Sequence, residues 1–131
     1  MSGITDLDVL LRSICPKLTG AECVFVTVPG KLKDYVELNP VASFMEPQGL
    51  TLVLEQSVAE KAGLAFATSY RQITLTVHSS LDAVGLTAAV ASQLALKGIS
   101  ANVIAAYYHD HIFVQARHAQ AAISALEELS A

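Results

Sequence analysis

The clearest alternation of hydrophobic and polar positions lies in the second half of the chain, from Arg71 to Ala131. Apolar residues there recur with the periods of strands and helices in turn. The predicted elements are a strand over 72–77, a helix over 80–97 closed by Gly98, strands over 101–107 and 111–117, and a helix over 119–129. This β-α-β-β-α order is most of a ferredoxin-like split βαβ unit.

The first half of the chain predicts a similar plan. A first helix, capped by Thr5 or Asp6 and ended by Pro16, is predicted by one apolar face made of Leu7, Leu10, Leu11 and Ile14. A β-branched run over 23–28 and alternating leucines over 50–54 predict two strands. We therefore expect an α+β fold, a ferredoxin-like βαββαβ sandwich in tandem, with helices packed on antiparallel sheet.

The segment between these two strands is less regular. Residues 31–48 contain Pro40 and Pro47 and show no clean period, so we expect a long ordered connection that is strand in part. Long connections inside compact domains are often functional or interfacial. After the second strand, Ser57 and Glu60 match a capping box, which predicts a short helix capped by the Ser57 hydroxyl.

The predicted strand over 72–77 separates two kinds of side chain. Its apolar positions are Ile73, Leu75 and Val77, and its polar positions, with the next residue, are Gln72, Thr74, Thr76 and His78. Because side chains alternate along a strand, the sheet has an apolar face for helices and a polar, uncharged face. A face of the second kind often meets another sheet, a ligand or a second subunit.

The composition of the chain argues against a nucleic-acid or membrane partner. Hydrophobic residues make up 53% and charged residues 15%, against roughly 25% charged in average domains, which favours burial of part of the surface in a contact. The Lys and Arg residues are dispersed and the net charge is −4, so we expect no nucleic-acid partner. No apolar run reaches the length of a membrane span, no signal peptide is apparent, and Cys15 and Cys23 form no disulfide framework. We expect a cytoplasmic protein without a membrane partner.

Several stretches of the chain are similar to a known family. They are a loop entering a helix over 79–87, the segment 98–105, the string ISANVIAAYYHDHIFV over 99–114 and the string EPQGLTLVL over 46–54. The second half resembles an ACT domain, a regulatory module built as βαββαβ, and the whole chain resembles a family of small, uncharacterised bacterial proteins with two ACT domains in tandem. The resemblance implies an ACT-like unit over 1–65, lacking its first strand, and an ACT domain over 66–131.

The resemblance also implies a small-molecule site and a regulatory role. ACT domains commonly bind amino acids where the first loop meets its helix, at the junction with a neighbouring domain. In this sequence the corresponding residues are Asp82, Val84, Gly85, Leu86, Thr87, Asn102, Val103 and Ile104. We expect a homo-oligomer that binds an amino acid, needs no cofactor and is not an enzyme. The family's usual glycine stands later, in a longer polar loop.

The residue types at the loop–helix junction permit two interpretations. Free N–H groups at a helix N-terminus suit a carboxylate, Gly85 allows close approach of backbone, and Asp82 suits an ammonium group. Ordinary capping, with a glycine that permits tight packing of helix on sheet, explains the same residues. The sequence also fits a protein without a ligand that uses its polar sheet face for oligomerisation or for binding another protein.

A third hypothesis rests on His109, Asp110 and His111. At strand spacing the two histidines share a side, and imidazole with carboxylate suits a divalent ion, as in a metal-dependent enzyme. The same three residues also fit a hairpin turn with its histidines on the polar side, or the edge of a small-molecule pocket. We expect no metal and no catalytic residue, because the sequence contains no zinc-protease motif, nucleophile elbow, dinucleotide fingerprint or phosphate-binding loop.

Overall fold

The computed structural model describes residues 6–77 and 84–130. Its helices are α1 (Leu7–Ser13), α2 (Gln56–Lys61), α3 (Leu86–Leu96) and α4 (Ala119–Leu129). Its strands are β1 (Pro16–Val28), β2 (Ala42–Glu46), β3 (Gly49–Glu55), β4 (Tyr70–Leu75), β5 (Asn102–Ala105) and β6 (Asp110–Gln115). Short 3₁₀ helices cover Leu32–Asp34, Val36–Leu38 and Ala116–His118. The predicted α+β class, with ferredoxin-like order in the second half, is confirmed.

The described residues group into two compact units. Unit 1 contains those of Met1–Gly20 and Arg71–Ala131, and unit 2 contains Ala21–Tyr70. The strand β1 runs through both units, with residues 16–20 in unit 1 and residues 21–28 in unit 2. The division into domains over 1–65 and 66–131 concerns the two sequence repeats and stays a prediction. The compact units instead show which residues are packed together in the structure.

Unit 1 contains the predicted β-α-β-β-α order and one further strand. Its strands follow the order β1-β4-β6-β5, in which β5 and β6 are antiparallel. Residues 16–20 of β1 therefore lie beside β4, where a βαββαβ unit has its fourth strand. The Thr76 N–H donates to the Cys15 carbonyl at 3.3 Å at this junction. The strand that the second half of the sequence lacks is thus supplied from the N-terminal region.

One apolar core holds unit 1 together. It takes side chains from α1, α3, α4, β4 and β6, and among its buried members are Leu10, Ile14, Ile73, Leu75, Val90, Leu94, Ile112, Val114, Ala122 and Leu126. The predicted inward positions Ile73, Leu75 and Val77 of the strand over 72–77 are confirmed. Because α1 inserts Leu10 into this core and its C-cap residue Ile14 packs there as well, the first helix is an integral part of the unit that holds the C-terminal repeat.

Unit 2 is a three-stranded antiparallel arrangement with its own core. The strand order is β2-β3-β1, and β3 pairs with both neighbours in antiparallel register. Alternate residues of β1 and β3 point to the core, which contains Val24, Val26, Val28, Leu50, Leu52, Leu54 and Ala59. The long connection predicted over 31–48 contains two 3₁₀ helices and the strand β2.

The start of α3 differs from the prediction. The sequence favours a helix from Ser80, but α3 begins at Leu86, with Gly85 as its N-cap residue at φ 100°. A left-handed residue cannot continue a right-handed helix, so the helix cannot extend through Gly85 toward the N-terminus. Ser80 and Asp82 lie outside the described residues.

Two other predicted boundaries are wrong. Glu55, the last residue of β3, is the N-cap residue of α2, and Ser57 lies inside the helix, so the predicted capping box does not form. The reason is that β3 runs directly into α2 without a loop. The strand predicted over 23–28 begins at Pro16, because a proline can occupy the first position of a strand and Gly20, at φ 68°, lets the strand continue through a bend.

Candidate functional site

The N-terminus of α3 is the first candidate site. Gly85 has no side chain with which to cap the helix, and its carbonyl accepts the first intrahelical hydrogen bond, from Ala89 N–H at 2.9 Å. The helix itself therefore offers no acceptor to the N–H groups of Leu86, Thr87 and Ala88. These groups, together with the helix dipole, favour a negatively charged group at this end.

The side chains around this helix end differ sharply in exposure. Val84 is 82% exposed and Thr87 is exposed, whereas Leu86 is only 3% exposed and belongs to the core of unit 1. Leu86 thus anchors the first turn of α3, and Thr87 leaves its hydroxyl accessible. The backbone of Gly85 lies against α1, because a Cβ at this position would stand 3.0 Å from Leu7 Cδ2.

The other predicted ligand residues lie on β5. Asn102 is exposed, and its side-chain amide donates to the Phe113 carbonyl at 3.1 Å, across the β5–β6 pair. Val103 packs against the core of unit 1, and Ile104 stands opposite His111. The N-terminus of α3 and the strand β5 both contact the core of unit 1, through Leu86 and Val103 respectively. The role of Asn102, Val103 and Ile104 in ligand binding stays a prediction.

A hydrogen-bonded cluster occupies the polar face of the unit 1 sheet. His111 Nδ1 lies 3.0 Å from Gln72 Nε2 and 3.0 Å from Thr74 Oγ1, and Thr74 Oγ1 lies 2.8 Å from Thr19 Oγ1. The cluster thus joins side chains of β1, β4 and β6. An amide nitrogen can only donate, so His111 Nδ1 is the acceptor and the neutral ring carries its proton on Nε2.

The surroundings of His111 favour its neutral form. Partial burial lowers the pKa of His111 below its ordinary value of 6.5, the neighbouring His109 lowers it further, and Asp110 opposes both effects. The Gln72 amide, which donates to Nδ1, also lowers the pKa of His111, because protonation of the ring would place an N–H at Nδ1 against the N–H of the amide. His111 is therefore a neutral hydrogen-bond acceptor at pH 7.

His109 and His111 do not share a metal-binding arrangement in this structure. His109 Nδ1 lies 3.2 Å from the Val77 carbonyl, whereas His111 is engaged by Gln72 and Thr74. Within residues 6–77 and 84–130, no three His, Cys, Asp or Glu side chains are grouped as ligands of one ion. The His111 imidazole instead joins β6 to β4, and the His109 imidazole, one residue before β6, lies beside a carbonyl two residues after the end of β4. Both contacts fit the hairpin interpretation.

A cleft in unit 2 was not predicted. It encloses about 290 Å³ and is lined by Ala21, Glu22, Gln56, Ser57 and Glu60. Glu22 Oε1 accepts a hydrogen bond from Ser69 Oγ at 2.7 Å, which orients that carboxylate. Sequence spacing carried no signal for this cleft, because its lining comes from β1 and α2, which are far apart in the chain.

Sequence reasoning also missed Thr19 in the polar cluster. Its neighbours Lys17 and Leu18 alternate in polarity, which is a strand signal, but Gly20 and the charged Glu22 interrupt the pattern before the apolar run. The polar positions Gln72 and Thr74 were predicted as one face, and their position is confirmed by their shared contact with His111.

The sequence matches models of a known protein family over both halves of the chain. Models of the ACT domain match residues 2–71 and residues 67–128. The chain therefore belongs to the ACT domain family, whose members are regulatory modules, and it contains two ACT domains in tandem. The resemblance noted in the sequence is confirmed.

Several solved structures share the fold of this chain. A protein of unknown function from Vibrio cholerae, described with its crystal structure as a possible transport protein, is 57% identical, with a TM-score of 0.89 over 99% of this chain and 100% of that chain. An Agrobacterium tumefaciens protein is 14% identical, with a TM-score of 0.71 over 89% of each chain. The regulatory subunit of aspartate kinase from Thermus thermophilus is 10% identical, with a TM-score of 0.61 over 89% of this chain and 98% of that chain.

The similarity to the Agrobacterium and Thermus structures shows only that their fold is shared by this chain. No curated protein matches the chain. In the described parts of the chain, no helix combines the length and the apolar character needed to cross a bilayer. Family and fold together support a small-molecule-binding regulatory role.

Proposed function

We propose that this protein is a regulatory sensor that binds a free amino acid at the N-terminus of α3. The observation that carries the proposal is the α3 helix end, where Gly85 offers no side-chain cap, the helix itself provides no acceptor for its first N–H groups, and Thr87 is exposed. The family assignment supports a small-molecule ligand, and the helix end supports a carboxylate on that ligand.

The carboxylate is held by backbone in this proposal. The N–H groups of Leu86, Thr87 and Ala88 donate to it, the Thr87 hydroxyl donates a further hydrogen bond, and the helix dipole adds a favourable field. Buried Leu86 keeps the first turn in place before the ligand arrives, so little ordering is required on binding. This arrangement selects for an anion rather than for one amino acid.

The remaining predicted residues supply the rest of the recognition. We assign the ammonium group of the ligand to Asp82, and the surface near the ligand side chain to Val84, Asn102, Val103 and Ile104, with His109, Asp110 and His111 at its edge. Ligand binding shifts the protein toward the conformation that binds the ligand with higher affinity. A sensor without catalytic residues transmits a signal through this change. The protein acts as a homo-oligomer in the cytoplasm in this proposal and has no enzymatic activity of its own.

Calorimetry with each of the twenty amino acids tests the proposal. We expect heat from at least one amino acid at millimolar concentration with the wild-type protein. Thr87→Glu places a carboxylate where the ligand carboxylate binds and should abolish that heat, while the added charge suits the helix N-terminus and leaves folding intact. Thr87→Gln has nearly the same size without the charge and should retain binding within about tenfold, which is about 1.4 kcal/mol.

Two results would count against the proposal. One is the absence of heat from every amino acid with a folded wild-type protein. The other is equal affinity in Thr87→Glu and wild type, which would place the ligand elsewhere. The cleft lined by Glu22 and Glu60 would then be the next place to examine, by the matched pair Glu60→Gln and Glu60→Asp.

A further inference from the structure

The first residue of α1 lies against the residue that opens α3. Leu7 begins α1, and Gly85 is the N-cap residue of α3. A Cβ built on Gly85 would stand 3.0, 3.6 and 3.8 Å from Leu7 Cδ2, Cδ1 and Cγ. The branched end of the Leu7 side chain therefore covers the side of Gly85 on which other residue types carry their side chains.

The conformation of Gly85 is not fixed by the glycine itself. Its φ of 100° and ψ of −19° differ from those of the helix that follows, and no side chain at the N-cap bonds to the helix. Glycine loses more conformational freedom on folding than any other residue. The Gly85 carbonyl nevertheless accepts from the Ala89 N–H at 2.9 Å, the bond that starts α3. Packing by Leu7 therefore supplies a restraint that the local sequence lacks.

The helix α1 depends on the same packing. It has seven residues, whereas isolated helices shorter than about 12–15 residues are marginal in water. Leu10 is completely buried in the core of unit 1, and Leu7 and Leu11 pack against that core from partly buried positions. Formation of the helix and its docking on the core are therefore one event. The Leu10 N–H, which donates to the Asp6 carbonyl at 2.9 Å, is protected from solvent exchange while α1 is docked.

We propose that α1 is coupled to the α3 site through Leu7, a positioning residue that holds Gly85 in the conformation from which the first N–H groups of α3 bind a carboxylate. Ligand binding at α3 and docking of α1 then stabilise each other. This inference rests on the proposed function, because it gives that site a means of regulation. Leu7 acts through the backbone that contacts the ligand and not on the ligand itself.

The sign of the coupling follows from preorganisation. When α1 is docked, the Gly85 backbone is already in place, and buried Leu86 holds the residue that follows it. When α1 is undocked, Gly85 must be ordered at the moment of binding, and that ordering lowers the affinity. Because coupling between two sites is reciprocal, a carboxylate bound at α3 favours docked α1 by the same factor. The order of the N-terminal segment thus becomes the output of the sensor.

Amide hydrogen exchange followed by NMR tests the positioning role without any ligand. The Ala89 N–H reports on the start of α3, and the Leu10 N–H reports on docking of α1. Leu7→Ala and Leu11→Ala each truncate one partly buried leucine of α1, so both should accelerate exchange of the Leu10 N–H to a similar extent. Only Leu7→Ala removes the contact with Gly85, so exchange of the Ala89 N–H should be about tenfold faster than in Leu11→Ala.

A conservative variant and a distant amide serve as controls. Leu7→Val retains a branched apolar side chain that is one methylene shorter, so its exchange rate at the Ala89 N–H should lie between those of the wild type and Leu7→Ala. It also replaces Leu7→Ala if that variant does not fold. The Ala62 N–H, which donates to the Val58 carbonyl at 3.0 Å at the end of α2 in unit 2, should exchange at the same rate in all variants.

The same measurement with added amino acids tests the coupling. A mixture of the twenty free amino acids, each at millimolar concentration, should slow exchange of the Leu10 N–H as well as of the Ala89 N–H in the wild-type protein, because the form with docked α1 binds better. In Leu7→Ala the slowing at Leu10 should be lost, because the contact that transmits it is absent.

Two results would overturn the proposal. One is equal exchange of the Ala89 N–H in Leu7→Ala and Leu11→Ala, which would mean that Gly85 is held without Leu7. The other is protection of the Ala89 N–H by the mixture with no protection of the Leu10 N–H, which would mean that α1 is not coupled to the site. Protection of neither amide, with Leu7→Ala still accelerating exchange at Ala89, would reject the ligand site and retain Leu7 as the residue that fixes the start of α3.

Discussion

Leu7 of α1 and Gly85 of α3 are in direct contact, since a Cβ on Gly85 would stand 3.0 Å from Leu7 Cδ2. Gly85 also has a φ of 100°, a conformation that side chains with a Cβ rarely adopt. Close approach and backbone conformation therefore both require glycine at the start of the helix that carries the proposed carboxylate site.

Gly85→Ala should lower the free energy of unfolding by about 2–4 kcal/mol, through the strained backbone and the displaced Leu7 side chain. Urea unfolding measures this loss. Gly98→Ala is the matched control, because Gly98 has φ 72° but nothing within 4 Å of its Cβ position, so only about 1 kcal/mol of backbone cost is expected. Equal losses in the two variants would mean that the contact with Leu7 contributes nothing.

His111 makes the stability of unit 1 depend on pH. Its pKa is lowered in the folded protein, so the unfolded chain binds the proton first as pH falls below about 6.5. Stability is fully present above that pH and declines between 6.5 and the lower folded pKa. His111→Asn keeps an acceptor for the Gln72 amide but cannot titrate, so its thermal midpoint should fall less than that of the wild type between pH 7.5 and pH 5.5.

The control for this measurement is His118→Asn, which lies outside the polar cluster and should retain the pH dependence of the wild type. An identical pH profile for wild type and His111→Asn would contradict the prediction. It would mean that the cluster of Gln72, Thr74 and Thr19 does not disfavour the charged ring.

Thr74 connects two strands through one hydroxyl group, bonded to Thr19 on one side and His111 on the other. Thr74→Val keeps the shape of the side chain and removes both bonds, which should cost about 1–2 kcal/mol in chemical unfolding. Thr76→Val is the matched control, because its hydroxyl makes a single exposed bond to the Cys15 carbonyl and its loss should cost less. A larger effect at Thr76 would contradict the importance of the cluster.

Leu10 couples the N-terminal helix to the C-terminal repeat. It is completely buried in the core of unit 1, so Leu10→Ala should destabilise the protein by about 2–5 kcal/mol. Val9→Ala, at a partly exposed neighbour, should cost less than about 1 kcal/mol. Both are measured by urea unfolding monitored through the tyrosines, and similar small losses would mean that α1 is dispensable for unit 1.

Much of the local structure followed from periodicity. The last helix has the predicted bounds Ala119–Leu129, and Ile73 and Leu75 face the core as their alternation indicated. Asp6 caps α1 by accepting from the Val9 N–H at 3.1 Å, as predicted for this position. These features depend on neighbours in sequence, through side-chain spacing and capping, and can therefore be seen in the chain itself.

Other features depended on partners that are distant in sequence. The amino-acid sequence by itself determined the fold class, the tandem repeat and the polar face that carries Thr74, because each leaves a periodic pattern. Only the tertiary structure placed residues 16–20 beside β4, brought Thr19 to Thr74 and His111, and set Gly85 against Leu7. The physical reason is that strand pairing and close packing join positions far apart in the chain, and no local period records which strand will be the neighbour.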